Sequence, residues 1–303
     1  MNYRSQLLSF FLAAFLLLQL NGKCEDVPKP DSVNAPYGQY ERNIYDFWKA
    51  KSDKPTPLVI YIHGGGFNQG SKEKVSASMV TGLLKEGISV IAINYRLTPD
   101  AVFPQHYQDC ARAIQFARFH AKELNIDPNR VAATGSSAGA CASLWLGFHD
   151  DLADPKSNDP VLRMSTKLSS VAMFSGQSTL DPDTIRAWVG ELALKHSMFN
   201  GKFLGLKPNE LGSVRAKELY VAASPVTYLT KNAPPVFAYY SNPRTAPTVM
   251  NEAIHHYNFG LHLKEKMDAL GVECVLLDKE SGISSNKSCI EFFMKHFQMK
   301  TKK

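Results

Sequence analysis

Leu58-Val59-Ile60-Tyr61-Ile62-His63-Gly64-Gly65-Gly66-Phe67 and Gly135-Ser136-Ser137-Ala138-Gly139 decide how this chain is read. The first stretch is a short apolar run, the pattern of a strand buried on both faces, and it breaks into three successive glycines. Without Cβ atoms, such a loop can approach a bound carbonyl closely and turn its N–H groups toward it. The second stretch follows another apolar run, 130–134, and leads into Ala138, Ala140 and Ala142, which suit a helix packed tightly on a sheet. Gly-x-Ser-x-Gly in that setting is a strand–turn–helix elbow. Small residues are needed where the chain closes on itself, and the serine hydroxyl is lifted above the sheet at a helix amino end. Ser137 is therefore the candidate nucleophile, with Ser136 in the spacer position. The amides of Gly65, Gly66 and Ala138 are the candidate donors to a tetrahedral oxyanion, where one donor is typically worth roughly 3–4 kcal/mol. His63 is expected to brace the loop rather than act as the base.

Outward from these motifs, apolar runs alternate with longer stretches of helical periodicity, which argues for βαβ units and a parallel sheet. The expected strands are 58–62, 89–94, 130–134, 170–174, 235–240 and 273–277. A helix is expected over 108–124, carried by Ala111, Ile114, Ala117 and Phe119, and another from near Ser288 through Phe297. Residues 175–232 break the alternation with turn residues and helical pieces at 183–196 and 209–220. An insertion there would lie over the carboxyl ends of the strands, where open α/β sheets bind ligands. We read it as a small cap on a single α/β domain comprising residues 25–303.

The chain has 303 residues and a net charge of +6. Residues 1–24 read as an export signal: Arg4 near the start, an almost wholly apolar run over 7–20, then Gly22-Lys23-Cys24 before a cut. The run is shorter than the roughly 20 residues of a spanning helix, so no stable membrane span is expected after cleavage. Cleavage would remove Arg4 and Lys23 and no acid, leaving +4 spread along the chain. That lacks the dense basic stripe of a nucleic-acid binder. Cys110, Cys141, Cys274 and Cys289 show neither a disulfide framework nor metal-ligand spacing, and the first two are expected as small buried hydrophobes in helices.

These motifs resemble the α/β-hydrolase superfamily, in particular its HGGG-type esterase branch, which includes hormone-sensitive-lipase-like and bacterial feruloyl and acetyl-xylan esterase-like proteins. The resemblance covers about residues 40–297. It includes Asn94-Tyr95-Arg96-Leu97, Phe103-Pro104-Gln105, Ser224-Pro225-Val226-Thr227-Tyr228 and Ala233-Pro234-Pro235-Val236. It implies hydrolysis of a carboxylic ester, in an exported member one linked to a glycan, with no metal or organic cofactor.

The resemblance fails after Val236. The branch follows this strand with a catalytic aspartate, whereas this chain continues Tyr240-Ser241-Asn242-Pro243-Arg244. The branch places its histidine after the last strand, whereas here that loop is Asp278-Lys279-Glu280-Ser281-Gly282-Ile283, and no histidine lies between His262 and His296. A serine hydroxyl is a poor nucleophile without a proton acceptor. Three accounts follow. His255 or His256 supplies a relocated base, oriented by Glu252 or Asp181. Alternatively, the protein is a catalytically inactive relative that binds esters or glycans. In the third account, His255 and His256 bind a metal.

Overall fold

The computed structural model describes residues 26–300. The expected leader, residues 1–24, lies outside the described residues. Eight strands form one sheet in the order β1-β2-β4-β3-β5-β6-β7-β8. They are β1 Ser32–Pro36, β2 Ile44–Trp48, β3 Thr56–Ile62, β4 Ser89–Ile93, β5 Ile126–Ser136, β6 Val171–Phe174, β7 Val236–Tyr240 and β8 Cys274–Asp278. From β3 onward all pairings are parallel, while β1 and β2 add an antiparallel edge. The helices are α1 Ala77–Lys85, α2 Gln105–Phe119, α3 Ala121–Leu124, α4 Ala138–Phe148, α5 Pro182–Trp188, α6 Val214–Ala223, α7 Met250–Ile254, α8 Asn258–Ala269 and α9 Ser285–His296.

Side-chain alternation splits the core into two layers. Leu58, Ile60, Ile62, Val131, Ala133, Val171 and Met173 face the layer that carries α2, α4 and α8. Val59, Val90, Ala132, Ala172 and Phe237 face the layer of α1 and α9, with Leu83, Phe292 and Phe293. All six expected strands are present, with ends displaced by a few residues. The helix expected over 108–124 is divided: His120 separates α2 from α3, and Asn125, at φ 53°, ends the helical stretch in the left-handed region. The four cysteines are free and buried, Cys110, Cys141 and Cys274 in the first layer and Cys289 in the second.

The edge strands were not anticipated. β2 carries Asp46 in mid-strand, and the sequence offers no sign of its partner. The structure supplies Lys72, 1% exposed, whose Nζ donates to Asp46 Oδ2 at 2.8 Å. The same Nζ donates to Glu73 Oε1 at 2.7 Å, so the buried ammonium is met by two carboxylates. Between β6 and β7 the chain forms α5, α6 and short 3-10 turns. Phe203 in this segment stacks on Phe67, with ring centroids 4.6 Å apart, and its carbonyl accepts from Phe103 N–H at 2.8 Å. The segment is thereby docked against the loop that follows β3.

Candidate active site

The elbow forms where β5 ends and α4 begins. Ser137 sits between them at φ 52°, ψ −121°, a strained conformation for a residue with a Cβ. Its N–H donates to Phe174 O at 3.0 Å, and its carbonyl accepts the first helical bond, from Cys141 N–H at 2.9 Å. These contacts fix the backbone and leave the hydroxyl free to project. Gly139 makes the turn possible: a Cβ there would lie 2.0 Å from Ile62 O. The elbow and the end of β3 are thus in backbone contact, which brings the glycine loop alongside. A Cβ on Gly64 would lie 3.2 Å from Ser137 Cβ. The loop closes on itself through Asn68 and Gln69 N–H, both donating to Gly65 O, and Gly65 takes φ +111°. Among the described residues, no hydrogen bond occupies the N–H groups of Gly65, Gly66 or Ala138.

His63 is wholly buried and belongs to the frame. Its Nδ1–H donates to Gly64 O at 2.7 Å, Arg42 Nη2 lies 3.4 Å from its Nε2, and its ring stacks on Tyr95 at 4.3 Å. Burial pushes its pKa down to about 4. Tyr95 in turn donates its hydroxyl to His63 O, and Arg96 grips Asp109 with two nitrogens at 2.8 and 2.7 Å. The Asn94-Tyr95-Arg96 stretch therefore serves as a brace behind the loop.

The structure brings His255 to the serine. Its Nε2 lies 2.8 Å from Ser137 Oγ, within the reach required of a general base. The ring is held from the other side by Asn251 O, 2.9 Å from Nδ1. A carbonyl can only accept, so the proton sits on Nδ1 and the lone pair of Nε2 faces the hydroxyl. His255 is the C-cap residue just after α7, and its ring reaches back one turn to a carbonyl of that helix. Gln177 anchors this helix: fully buried, it donates from Nε2 to Ile254 O at 2.5 Å. Burial lowers the pKa of His255, the hydrogen bond to Asn251 partly opposes this, and the charge of His196 lowers it further. The neutral, proton-accepting form is favoured at pH 7.

Other expected partners lie elsewhere. His256 is turned into the protein, its Nε2 donating to Thr245 O at 3.0 Å and its Nδ1 accepting from Asn258 N–H at 3.1 Å. Adjacent residues at a helix end project in different directions, so the two rings do not form a pair. The metal account fails on that divergence, and among the described residues no three His, Cys, Asp or Glu side chains converge on a metal position. Glu252 is not hydrogen-bonded to His255 either: its carboxylate accepts from Thr248 N–H and Oγ1 at 2.8 and 2.9 Å, in the turn that leads into α7. Asp181 caps α5, accepting from Thr184 N–H at 2.9 Å. At the end of β8, Asp278 accepts from Arg244 Nε at 2.5 Å and Ser281 N–H at 3.0 Å, so the turn is committed to itself. The group that orients the His255 ring is a main-chain carbonyl, for which a sequence carries no signal.

Ser137 and His255 open into a cavity of about 420 Å³ whose wall includes Phe174, Ser175, Tyr239 and Asn242. A larger one of about 600 Å³ begins at Gly66 and includes Asn68, Ser197, Lys202 and Phe203.

A family model, BD-FAE, matches residues 44–245, two thirds of the chain. The chain belongs to the BD-FAE family. The matched region of this BD-FAE member contains both glycine motifs and stops short of His255. Among its relatives, a probable carboxylic ester hydrolase of Mycobacterium tuberculosis, LipM, is 29% identical over 66% of the chain and 45% of its own length. Esterase LipQ of the same organism is 26% identical over 67% of the chain and 46% of its own length. The chain thus spans about half the length of the curated relatives it matches. Among solved structures, a truncated carbohydrate esterase from gut microbiota superposes with a TM-score of 0.70 at 20% identity, covering 90% of this chain and 98% of that one. An acetyl ester-xyloside bifunctional hydrolase from Caldicellulosiruptor lactoaceticus gives 0.69 at 21% identity, covering 90% and 99%. At these identities the likeness establishes the α/β-hydrolase fold.

Proposed function

We propose that this protein is an exported carboxylic ester hydrolase in which Ser137 and His255 act as a dyad. The observation that carries this reading is the 2.8 Å contact between His255 Nε2 and Ser137 Oγ, with Nδ1 held by Asn251 O. His255 accepts the hydroxyl proton as Oγ bonds to the ester carbonyl carbon, and negative charge moves onto the carbonyl oxygen. The N–H groups of Gly65, Gly66 and Ala138 receive that charge. The bond from carbon to the alcohol oxygen then breaks, and His255 delivers its proton to the departing alcohol. Water, deprotonated by the same imidazole, releases the acid from Ser137. The Asn251 carbonyl lies in the terminal turn of α7, where helix carbonyls carry partial negative charge. It keeps the imidazole in the required tautomer and supports the imidazolium without a carboxylate.

The substrate we favour is a short acyl group on a glycan. The support is indirect: an open cavity at the serine, a larger cavity that begins at Gly66, and relatives and fold neighbours named as acetyl or carbohydrate esterases. The export reading rests on residues 1–24 alone, and among the described residues no helix is long and apolar enough to cross a membrane. The test is a burst assay of the mature protein with p-nitrophenyl acetate beside Ser137→Ala, with fluorophosphonate labelling of Ser137. A serine-dependent burst and a labelled Ser137 support the hydrolase. Absence of both favours the inactive, ester- or glycan-binding relative, to be pursued by binding to acetylated xylo-oligosaccharides.

A further inference from the structure

A second imidazole stands at the glycine loop. His196 belongs to the segment between β6 and β7, and its ring lies directly over Gly66. A Cβ on Gly66 would meet His196 Cε1 at 3.0 Å and Nε2 at 3.8 Å. Two neighbours help hold it there. Met198 also packs on Gly66, 3.5 Å from the same position, and Ser197 Oγ accepts from Asn68 Nδ2 at 3.1 Å, joining the segment to the loop. The ring's tautomer is set locally: Met198 N–H donates to His196 Nδ1 at 3.3 Å, so that nitrogen carries the lone pair and Nε2 carries the proton. Among the described residues, Nε2 has no hydrogen-bond partner. Burial lowers the pKa of His196, which keeps the ring neutral, and its charged form is felt at His255, so the two imidazoles share one environment.

We propose that His196 Nε2–H is a fourth donor to the ester's carbonyl oxygen, supplied by the segment between β6 and β7 and added to the backbone amides of Gly65, Gly66 and Ala138. The proposal rests on the reading of Ser137 and that loop as the ester site. The neutral imidazole is suited to the task because its Nε2–H can donate while Nδ1 accepts from Met198 N–H. It also gives a chemical reason for a ring at this point. Mere packing against a bare glycine would be met by any flat side chain, whereas the Met198 amide turns this ring so that its N–H is presented.

Two substitutions separate donation from packing. His196→Phe keeps a ring and removes the donor, whereas His196→Gln keeps a donor near Nε2 and removes the ring. With p-nitrophenyl acetate, His196→Phe should lower kcat by about 100-fold with little change in KM, and His196→Gln should retain activity to within about tenfold. The reverse order, Phe active and Gln impaired, would overturn the proposal. A second measurement needs no turnover. In ring-¹⁵N-histidine Ser137→Ala protein titrated with phenyl acetate, the His196 Nε2 resonance should move, and a fixed resonance through the titration overturns the proposal. If fluorophosphonate fails to label Ser137, the hydrolase reading fails by itself, and the resonance titration still decides the role of His196.

Discussion

The proposed nucleophile and the proposed base come from two differently built halves of the site. The nucleophile half, β3 to α4, is a backbone construction. Ser137 is at φ 52°, Gly65 is at φ +111°, and Gly139 packs where any Cβ would strike Ile62 O. The base half, the chain after β7, is a side-chain construction in which one imidazole at the end of a five-residue helix reaches Ser137. A strained backbone can be made by few sequences, so it leaves a fixed signature. A ring nitrogen must only occupy a point in space, and any segment that passes that point can supply it. The family match follows the same division: it covers the first half and ends at residue 245, before the base.

The most damaging way to break this division is to remove either reacting group. Ser137→Ala and His255→Ala should each lower kcat with p-nitrophenyl acetate by about 10⁴-fold or more, and the double variant should be no worse than either single one. Full additivity in steady-state assays would mean that the two residues do not act as a unit. Next in size is a backbone change. Gly139→Ala should cost more than about 3 kcal/mol or prevent folding, read by denaturant titration, because neither Ile62 nor the elbow can yield. A variant of wild-type stability would contradict the close approach of β3 and α4.

Acid should separate the halves. His63 and His106 are held neutral by burial with pKa values of about 4, against about 6.5 when exposed. The unfolded chain therefore binds more protons between those values. Stability is fully present above about pH 6.5 and falls as the pH drops toward 4. Thermal melts across that range should show the loss, and His106→Gln should make it shallower.

Activity has its own limb. The depressed pKa of His255 places the loss of kcat/KM below pH 6.5, at about tenfold per pH unit where the protein is still folded. A carboxylate against Nδ1 would raise that pKa instead, so a limb well above 6.5 would point to an acid partner in solution. The smallest effect is expected at Glu252, which serves only the turn that leads into α7. Glu252→Gln should leave kcat/KM within about twofold, and a larger fall would return it to the site.

Most of the sheet was legible because 58–62, 89–94, 130–134, 170–174, 235–240 and 273–277 are apolar runs bounded by turns. The antiparallel edge was not, because Asp46 in β2 is held by Lys72 and by Asn34 N–H, and such long-range partners leave no local mark. Ser137 and the glycine loop could be located because backbone strain dictates residue type. His255 could be reached only as one of two adjacent histidines, since which ring faces Ser137 depends on the helix ending at Ile254. Asn251 O, which orients it, is available at any residue and so was invisible. His196 was missed for a different reason: it lies in an irregular segment whose docking on Gly66 no periodicity announces.

The four buried thiols give the molecule a built-in monitor of its own opening. Burial pushes the Cys141 and Cys274 thiols up to about 12 and those of Cys110 and Cys289 well above their ordinary value. The thiolate is the reactive form, so a maleimide should find almost nothing to modify while the fold is closed. Cys289, on α9, lies in the layer of α1 and α9, and Cys110, Cys141 and Cys274 lie on the opposite side. The order in which the four become labelled under mild denaturant therefore records which layer parts first.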